Sequence, residues 1–372
     1  MQSKTNPFRM FRTTIITFLF SIPFASQAQL VITGKVIAGE TGLPLQGASV
    51  FADNTTLGTA TNADGNFKLY LPNGGYDLVV TFTGYSTASK RISSNDASEK
   101  QNFELKLKEK ELTEVAVVAS SEVKDGWQKY GSFFLEEFIG KSENSSNCTL
   151  KNPEVLKFYF SKKRNRLKVL AAEPLKIENQ ALGYSIQYSL DSFTHQYNTE
   201  TSLYTGNPLF KEMMAESDSQ YNQWKETRKK AYLGSSLHFM RSIFYKTLQD
   251  EGFEIQFIVK ANSNDSALKL ANPYTALHYA KDDSLNTVEI YPNQPNVAVI
   301  FTKEKPSEKY SAAFPDEPRE FEFSILSFVP NETIVIEQNG YYYDQNDLSV
   351  SAYWSWSKVA DQLPYDYSAA AY

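Results

Sequence analysis

Apolar and polar positions alternate in short runs through much of the chain. Phe67, Leu69 and Leu71 fall on one face of a strand, and Tyr76, Leu78, Val80 and Phe82 on one face of the next, because strand side chains repeat every second residue. Pro72-Asn73-Gly74-Gly75 between them, and Asp64-Gly65 before them, supply the fixed and positive backbone angles of hairpin turns. Phe103, Leu105 and Leu107 alternate with charged residues and predict a half-exposed closing strand. Close-spaced strands and turns over about residues 30–107 predict a β-sandwich.

Beyond residue 126 the alternation resumes at Leu156–Phe160, Leu167–Ala171, Leu182–Leu190, Phe253–Val259, Val288–Tyr291, Val297–Phe301, Phe321–Phe328 and Thr333–Glu337. These runs predict a mainly antiparallel sheet. One interruption, about residues 217–251, lacks proline and steps by three or four through Leu233, Leu237, Met240, Phe244 and Leu248. Ser217 and Gln220 give it a capping-box-like start, Gly252 a C-cap, and Gly234 divides it into a helical pair. Ser355 to Pro364 predicts a short terminal helix stopped by proline. The expected fold class is therefore an all-β sandwich followed by a mainly antiparallel α+β domain, residues 126–372, with residues 108–125 as a linker or joining strand.

Composition sharpens that division. Nine of the 17 glycines lie between Gly34 and Gly84, whereas all four tryptophans and 20 of the 23 tyrosines lie beyond residue 107. The glycine positions carry a family resemblance. Gly34-x-Val36, Thr41-Gly42-x-Pro44-Leu45-x-Gly47-Ala48-x-Val50, Gly58-x-x-Thr61-x-x-Asp64-Gly65-x-Phe67, Gly75-Tyr76 and Gly84-Tyr85 resemble the carboxypeptidase regulatory-like domain. The resemblance implies a transthyretin-like Greek-key sandwich, a module found after zinc carboxypeptidase domains or at the front of exported proteins and outer-membrane receptors.

The peptidase is excluded by its ligands, since a zinc site of that kind needs His-x-x-Glu and His195, His238 and His278 are followed at the fourth position by Asn198, Arg241 and Lys281. Asn62 to Asn66 resembles a calcium loop without its closing acid, and a hairpin turn explains it better. The run Leu112–Ala119 resembles the segment that follows this module in receptors with a TonB-dependent barrel, but the remaining residues are too few for such a barrel with its plug.

Charge and the N-terminus bear on location. Lys4, Arg9 and Arg12, the apolar stretch Thr13–Phe24 and the small residues Ser26-Gln27-Ala28 read as a secretory signal over residues 1–28. Its removal shifts the formal charge from −6 to −9, which disfavours a nucleic-acid partner. No later apolar run is long enough for a transmembrane helix, so the expected location is exported: periplasm, outer-membrane-associated or cell surface. The lone Cys148 forbids an internal disulfide and reads as a free or buried thiol.

Two constellations stand out. Ser235, His238, Arg241 and Tyr245 share a helical stripe and are the catalytic candidates if the protein is an enzyme, yet Gly-x-Ser-x-Gly is absent and a helix cap explains Ser235 better. Tyr341, Tyr343, Tyr353, Trp354 and Trp356 are candidate binding aromatics, paired on common faces if their segments are strands. No metal spacing, phosphate loop or cofactor fingerprint is present. The expected function is a non-enzymatic envelope protein that binds or docks a protein or glycan partner. The alternatives are a hydrolase within residues 126–372 and a permanent subunit of an outer-membrane assembly.

Overall fold

A computed structural model describes residues 29–93, 99–107, 122–261, 264–343 and 347–369. The signal segment 1–28, the linker run 108–121 with its expected joining strand, and Tyr372 lie outside the described residues.

Seven strands form the N-terminal unit: β1 (Gln29–Ala38), β2 (Ser49–Ala52), β3 (Gly58–Ala60), β4 (Asn66–Pro72), β5 (Tyr76–Thr81), β6 (Ala88–Ile92) and β7 (Phe103–Leu105). One sheet has the order β4-β1-β7 and the other β3-β2-β5-β6. The predicted alternation in β4 is seen directly, with Phe67, Leu69 and Leu71 buried between exposed neighbours. Together with Ile32, Val50, Tyr76, Leu78 and Val80 they make a closed core between the sheets.

The second sheet is covered on its outer face as well. Phe51 and Val79 are register partners, both buried, and neither belongs to the sandwich core. Gly58 lets the cover approach: a Cβ there would lie 3.1 Å from Phe51 Cβ and 3.5 Å from Leu209 Cδ1 of the following domain. The outer face of that sheet is thus covered at β2 and β5, while Ser89 and Arg91 of β6 stay exposed.

The next unit packs α1 (Gly126–Phe138) on a six-stranded antiparallel sheet of β8 (Cys148–Leu150), β9 (Leu156–Ser161), β10 (Arg166–Ala171), β11 (Leu175–Asn179), β12 (Tyr184–Gln196) and β13 (Thr201–Glu212). Phe134 and Phe138, one turn apart on α1, seat their rings 5.1 Å from Phe193 and 4.9 Å from Tyr188. The long strand β12 pairs with β13 along its length, with a bulge between Leu190 and Ser192.

Three helices follow where two were expected: α2 (Asp218–Tyr232), α3 (Ser236–Phe244) and α4 (Leu248–Glu251). Ser217 caps α2 by accepting the Gln220 N–H, Gly234 at φ 73° makes the first break, Lys246 at φ 61° the second, and Gly252 at φ 93° ends the last. Beyond them, β14 (Phe253–Ala261), β15 (Asn264–Lys269), α5 (Pro273–Ala276), β16 (Ala280–Asp282), β17 (Thr287–Ile290), β18 (Asn296–Phe301), α6 (Glu308–Ala313), β19 (Glu322–Phe328), β20 (Ile334–Glu337), β21 (Leu348–Ala352) and α7 (Tyr353–Trp356) complete the chain. They form a five-stranded sheet, β15-β14-β18-β19-β21, and a three-stranded one, β16-β17-β20.

The fold is therefore an all-β sandwich followed by an α+β region, whose buried side chains gather in two clusters. One surrounds α1 and β9 to β13, and also takes in Val359, Ala360, Leu363 and Tyr367 from the end of the chain. The other surrounds α3 and the five-stranded sheet. The expected helix from Ser355 to Pro364 is not continuous. Only α7 and a 3-10 turn at Val359–Asp361 form, because Ser357 and Lys358 are extended.

Candidate functional site

A polar cleft of about 520 Å³ opens where the sandwich meets the two other cores. The sandwich supplies Asp53 and Asn54 from the turn after β2, Asp77 from β5 and Arg91 from β6. The β12–β13 ribbon supplies Tyr188, Asp191, Tyr204 and Asn207, and the C-terminal region supplies Tyr341 and Tyr365. Asp191 is the residue left over at the β12 bulge, an irregularity that re-aims a side chain out of the ladder.

Backbone bonds stitch this seam. The Asn54 N–H donates to the Pro208 carbonyl at 2.9 Å, the Phe210 N–H to the Thr55 carbonyl at 2.8 Å, and the Tyr365 N–H to the Asn54 carbonyl at 2.7 Å. The Asn339 amide donates to the Gly75 carbonyl at 3.0 Å. Gly75 is required there, since a Cβ would sit 2.5 Å from Glu337 Cγ and 2.8 Å from Tyr341 Cδ1.

Asp53 is a strongly perturbed carboxyl of the cleft. Burial, with the Asp77 charge second, pushes its carboxyl up to about 7, and its buried Oδ1 has no hydrogen-bond partner. The Tyr341 hydroxyl hydrogen-bonds Asp77, and burial raises Tyr341, Tyr188 and Tyr365 above the ordinary phenol value and Tyr204 to about 12. All four phenols stay neutral, so they offer rings and hydroxyls rather than charge. The Arg91 guanidinium carbon sits over the Tyr343 ring, 4.0 Å from its centroid.

The stripe proposed on helical spacing is dispersed in its contacts. Ser235 caps α3: its Oγ accepts the His238 N–H at 3.1 Å and donates to the Tyr232 carbonyl at 2.7 Å. The His238 ring turns elsewhere. Nδ1 accepts the Gly234 N–H at 3.2 Å, which leaves Nε2 as the donor to Glu251 Oε2, also at 3.2 Å. Burial lowers the His238 pKa against the pull of Glu251, so the imidazole is held neutral with neither nitrogen directed at Ser235. Arg241 donates to the Asn339 and Tyr365 carbonyls and so buttresses the back of the cleft, while Tyr245 is exposed.

The aromatic group also divides. Tyr341 lines the cleft and Tyr343 stands behind it, with ring centroids 5.7 Å apart. Tyr353, Trp354 and Trp356 lie on the short helix α7, not on a strand, because Ala352 at φ 59° turns the chain out of β21. Trp354 is buried and donates its Nε1–H to the Gly234 carbonyl, and Tyr353 and Trp356 pack on Tyr310. Cys148 is half-buried with its thiol pushed up to about 12 by burial, which makes it a poor nucleophile.

Asp53, Asp77 and Arg91 carried no motif in the sequence. The only local signal was polar residues at the ends of strands otherwise committed to a core. No group of three or more His, Cys, Asp or Glu arranged to hold a metal occurs among the described residues. No helix among them is long and apolar enough to cross a membrane.

The seven-stranded unit is a small β-sandwich module that forms one wall of a cleft. Residues 32–117 match the model of the CarboxypepD_reg-like domain, the type that its turn glycines resemble. The chain is 34% identical over 97 residues to TonB-dependent receptor SusC of Bacteroides thetaiotaomicron, covering 26% of this chain and 9% of the receptor. It is 26% identical over 125 residues to TonB-dependent receptor P3 of Formosa agariphila, covering 33% of this chain and 12% of that receptor. S-layer protein B of Metallosphaera sedula is 33% identical over 124 residues, 32% of this chain and 29% of that protein. Each relative is therefore matched over less than a third of its length. A solved DUF3823 family protein from Bacteroides ovatus covers 50% of this chain at 13% identity and a TM-score of 0.17, too low to carry an argument. The similarities associate the chain with receptors and an S-layer protein of the cell envelope, and the domain type matched at residues 32–117 is non-catalytic.

Proposed function

We propose that this is an exported, non-enzymatic cell-envelope protein that binds a small polar ligand of sugar size in the cleft between its sandwich and its α+β region. The observation that carries the reading is the lining itself: tyrosine rings beside carboxylates and amides, in a volume suited to a small molecule. Rings stack on the apolar faces of sugars while carboxylates and amides accept from hydroxyls. The sandwich is then a wall of the site rather than a spacer, and the partner is a glycan rather than a nucleic acid. Its location is the periplasm, the outer membrane or the cell surface.

Calorimetric titration of the full chain against neutral and charged mono- and disaccharides tests this, with Tyr204→Ala as the control. The expected result is binding that falls at least about tenfold in the variant. Saccharide binding unaffected by the variant would place the site elsewhere.

One observation favours a second reading, a hydrolase. A carboxyl held near 7 beside another carboxylate is the arrangement of a general acid with its partner. Turnover of a glycoside by the pure protein, abolished by Asp53→Asn, would establish that reading over the first.

A further inference from the structure

We infer that the basic hairpin of β9 and β10 docks the protein on an anionic lipid surface. The inference is independent of the cleft, since none of the hairpin's cations lines it.

Charge singles the hairpin out. The chain as a whole is acidic, with 43 Asp and Glu against 37 Lys and Arg. Residues 157–168 reverse that balance: Lys157, Lys162, Lys163, Arg164, Arg166 and Lys168 fall within twelve positions that hold no acid. None of the six takes part in the salt bridges formed among the described residues. Two acids stand at its margins. Glu122 bridges β9 at Tyr159, and Glu200, in the turn between β12 and β13, faces His195 Nε2 at 3.6 Å.

Strand register gathers the cations on one surface. Directly opposed residues of antiparallel strands share a face, so Lys157 stands beside Leu170 and Arg166 beside Ser161 and Gln196. Lys168 stands beside Tyr159 and Thr194, and Thr194 beside Leu203 of β13. The alternate residues Phe158, Leu167 and Val169 enter the core under α1. The basic face is therefore the one turned away from α1, and exposed Lys162, Lys163 and Arg164 extend it at the turn. Leu203 is 67% exposed on the same face.

The turn is held while its charges are not. The Gln196 side-chain amide donates to the Arg164 carbonyl at 2.7 Å, the Asn165 amide to Asn198 Oδ1 at 2.8 Å, and the Tyr197 N–H to the Asn165 carbonyl at 3.1 Å. A pocket for a single anion fixes its donors with neighbouring groups. Cations spread along a braced hairpin instead suit an extended field of many phosphates, to which each contributes without a fixed geometry. Tyr159 and Leu203 beside them supply an amphipathic ring and an apolar side chain, the types that settle at the head-group boundary. Leu203 also argues for lipid over an acidic polysaccharide, which offers it no apolar layer to enter.

The test is flotation of the full chain with vesicles of phosphatidylcholine alone or with about 30% phosphatidylglycerol. The expected result is binding to the anionic vesicles only, weakening as salt rises from about 0.05 M to about 0.5 M. Lys162→Gln, Lys163→Gln and Arg164→Gln together should lower the affinity roughly a hundredfold. The same charge change made elsewhere, with Lys35→Gln, Lys229→Gln and Lys230→Gln, should lower it by less than about threefold. Leu203→Ser should lower it roughly three- to tenfold. Circular dichroism checks that each variant is folded. Equal binding to both vesicles, binding to neither, or equal losses in the two triple variants would overturn the inference. Capture by polygalacturonate in place of the anionic vesicles would overturn it in favour of an acidic glycan.

Discussion

Thr56 and Asp366, 310 positions apart, close the protein on itself: the Asp366 carboxylate accepts the Thr56 N–H at 2.9 Å and also the Thr56 hydroxyl. The bond joins the sandwich turn next to Asp53 to the turn at Tyr365–Asp366. Removing both acceptors with Asp366→Ala should cost about 1–3 kcal/mol, since the Thr56 N–H is left partly buried and unpaired. Thermal unfolding of the variant, with hydrogen exchange at residues 53–57, measures this. An unchanged melting temperature with unchanged exchange would show that the clasp contributes nothing.

The sandwich has its own core, so residues 29–107 alone should fold to a β-rich structure. Phe51 and Val79, covered in the full chain, would then be exposed as an apolar patch. The isolated segment should show a folded circular dichroism spectrum and bind a hydrophobic dye that the full chain does not. A disordered spectrum would contradict the domain boundary.

That uncovered face marks the limit of what the sequence disclosed. The strands at Leu156 and Leu167 were legible because each buries one face and period two survives in their text, whereas the strand at Val297 is buried on both faces and reads as a short continuous apolar run. Helix α1 was missed although Phe134 and Phe138 stand one turn apart, because its other apolar residues blur the period. Strand β13 was missed for the opposite reason: much of Thr201–Glu212 is exposed and carries little apolar alternation. The cleft lay further out of reach. Asp53 and Asp191 acquire their role only when a sandwich turn meets a bulge in a different sheet, and no local pattern encodes that meeting.

Ser235 provides a check on the enzyme alternative. As an N-cap it should tolerate Ser235→Asp, while Ser235→Ala should cost about 1 kcal/mol. Chemical denaturation of both variants measures the difference. Equal loss in the two would mean that capping is not what the hydroxyl does.

Glu322 predicts a pH dependence. It is buried, near Glu304 and bonded to Tyr353, and burial pushes its carboxyl up to about 8. A raised acid pKa means that the folded state holds a proton the unfolded state releases. The stability it contributes is therefore full below the unfolded value and is lost as pH rises towards about 8. Glu322→Gln keeps the neutral shape, so it should raise stability at pH 8 and flatten that slope. Denaturant melts of both proteins across this range, with no difference in slope, would show that Glu322 is not held protonated.

Hydrogen–deuterium exchange on the full chain, with and without saturating glucosamine or N-acetylglucosamine, tests most directly whether the cleft at the seam binds a ligand. Slowed exchange is expected at residues 53–55, 204–208 and 365, on both sides of the seam, with residues 353–356 unchanged. Protection confined to residues 353–356, or none at the seam with either sugar, would contradict it.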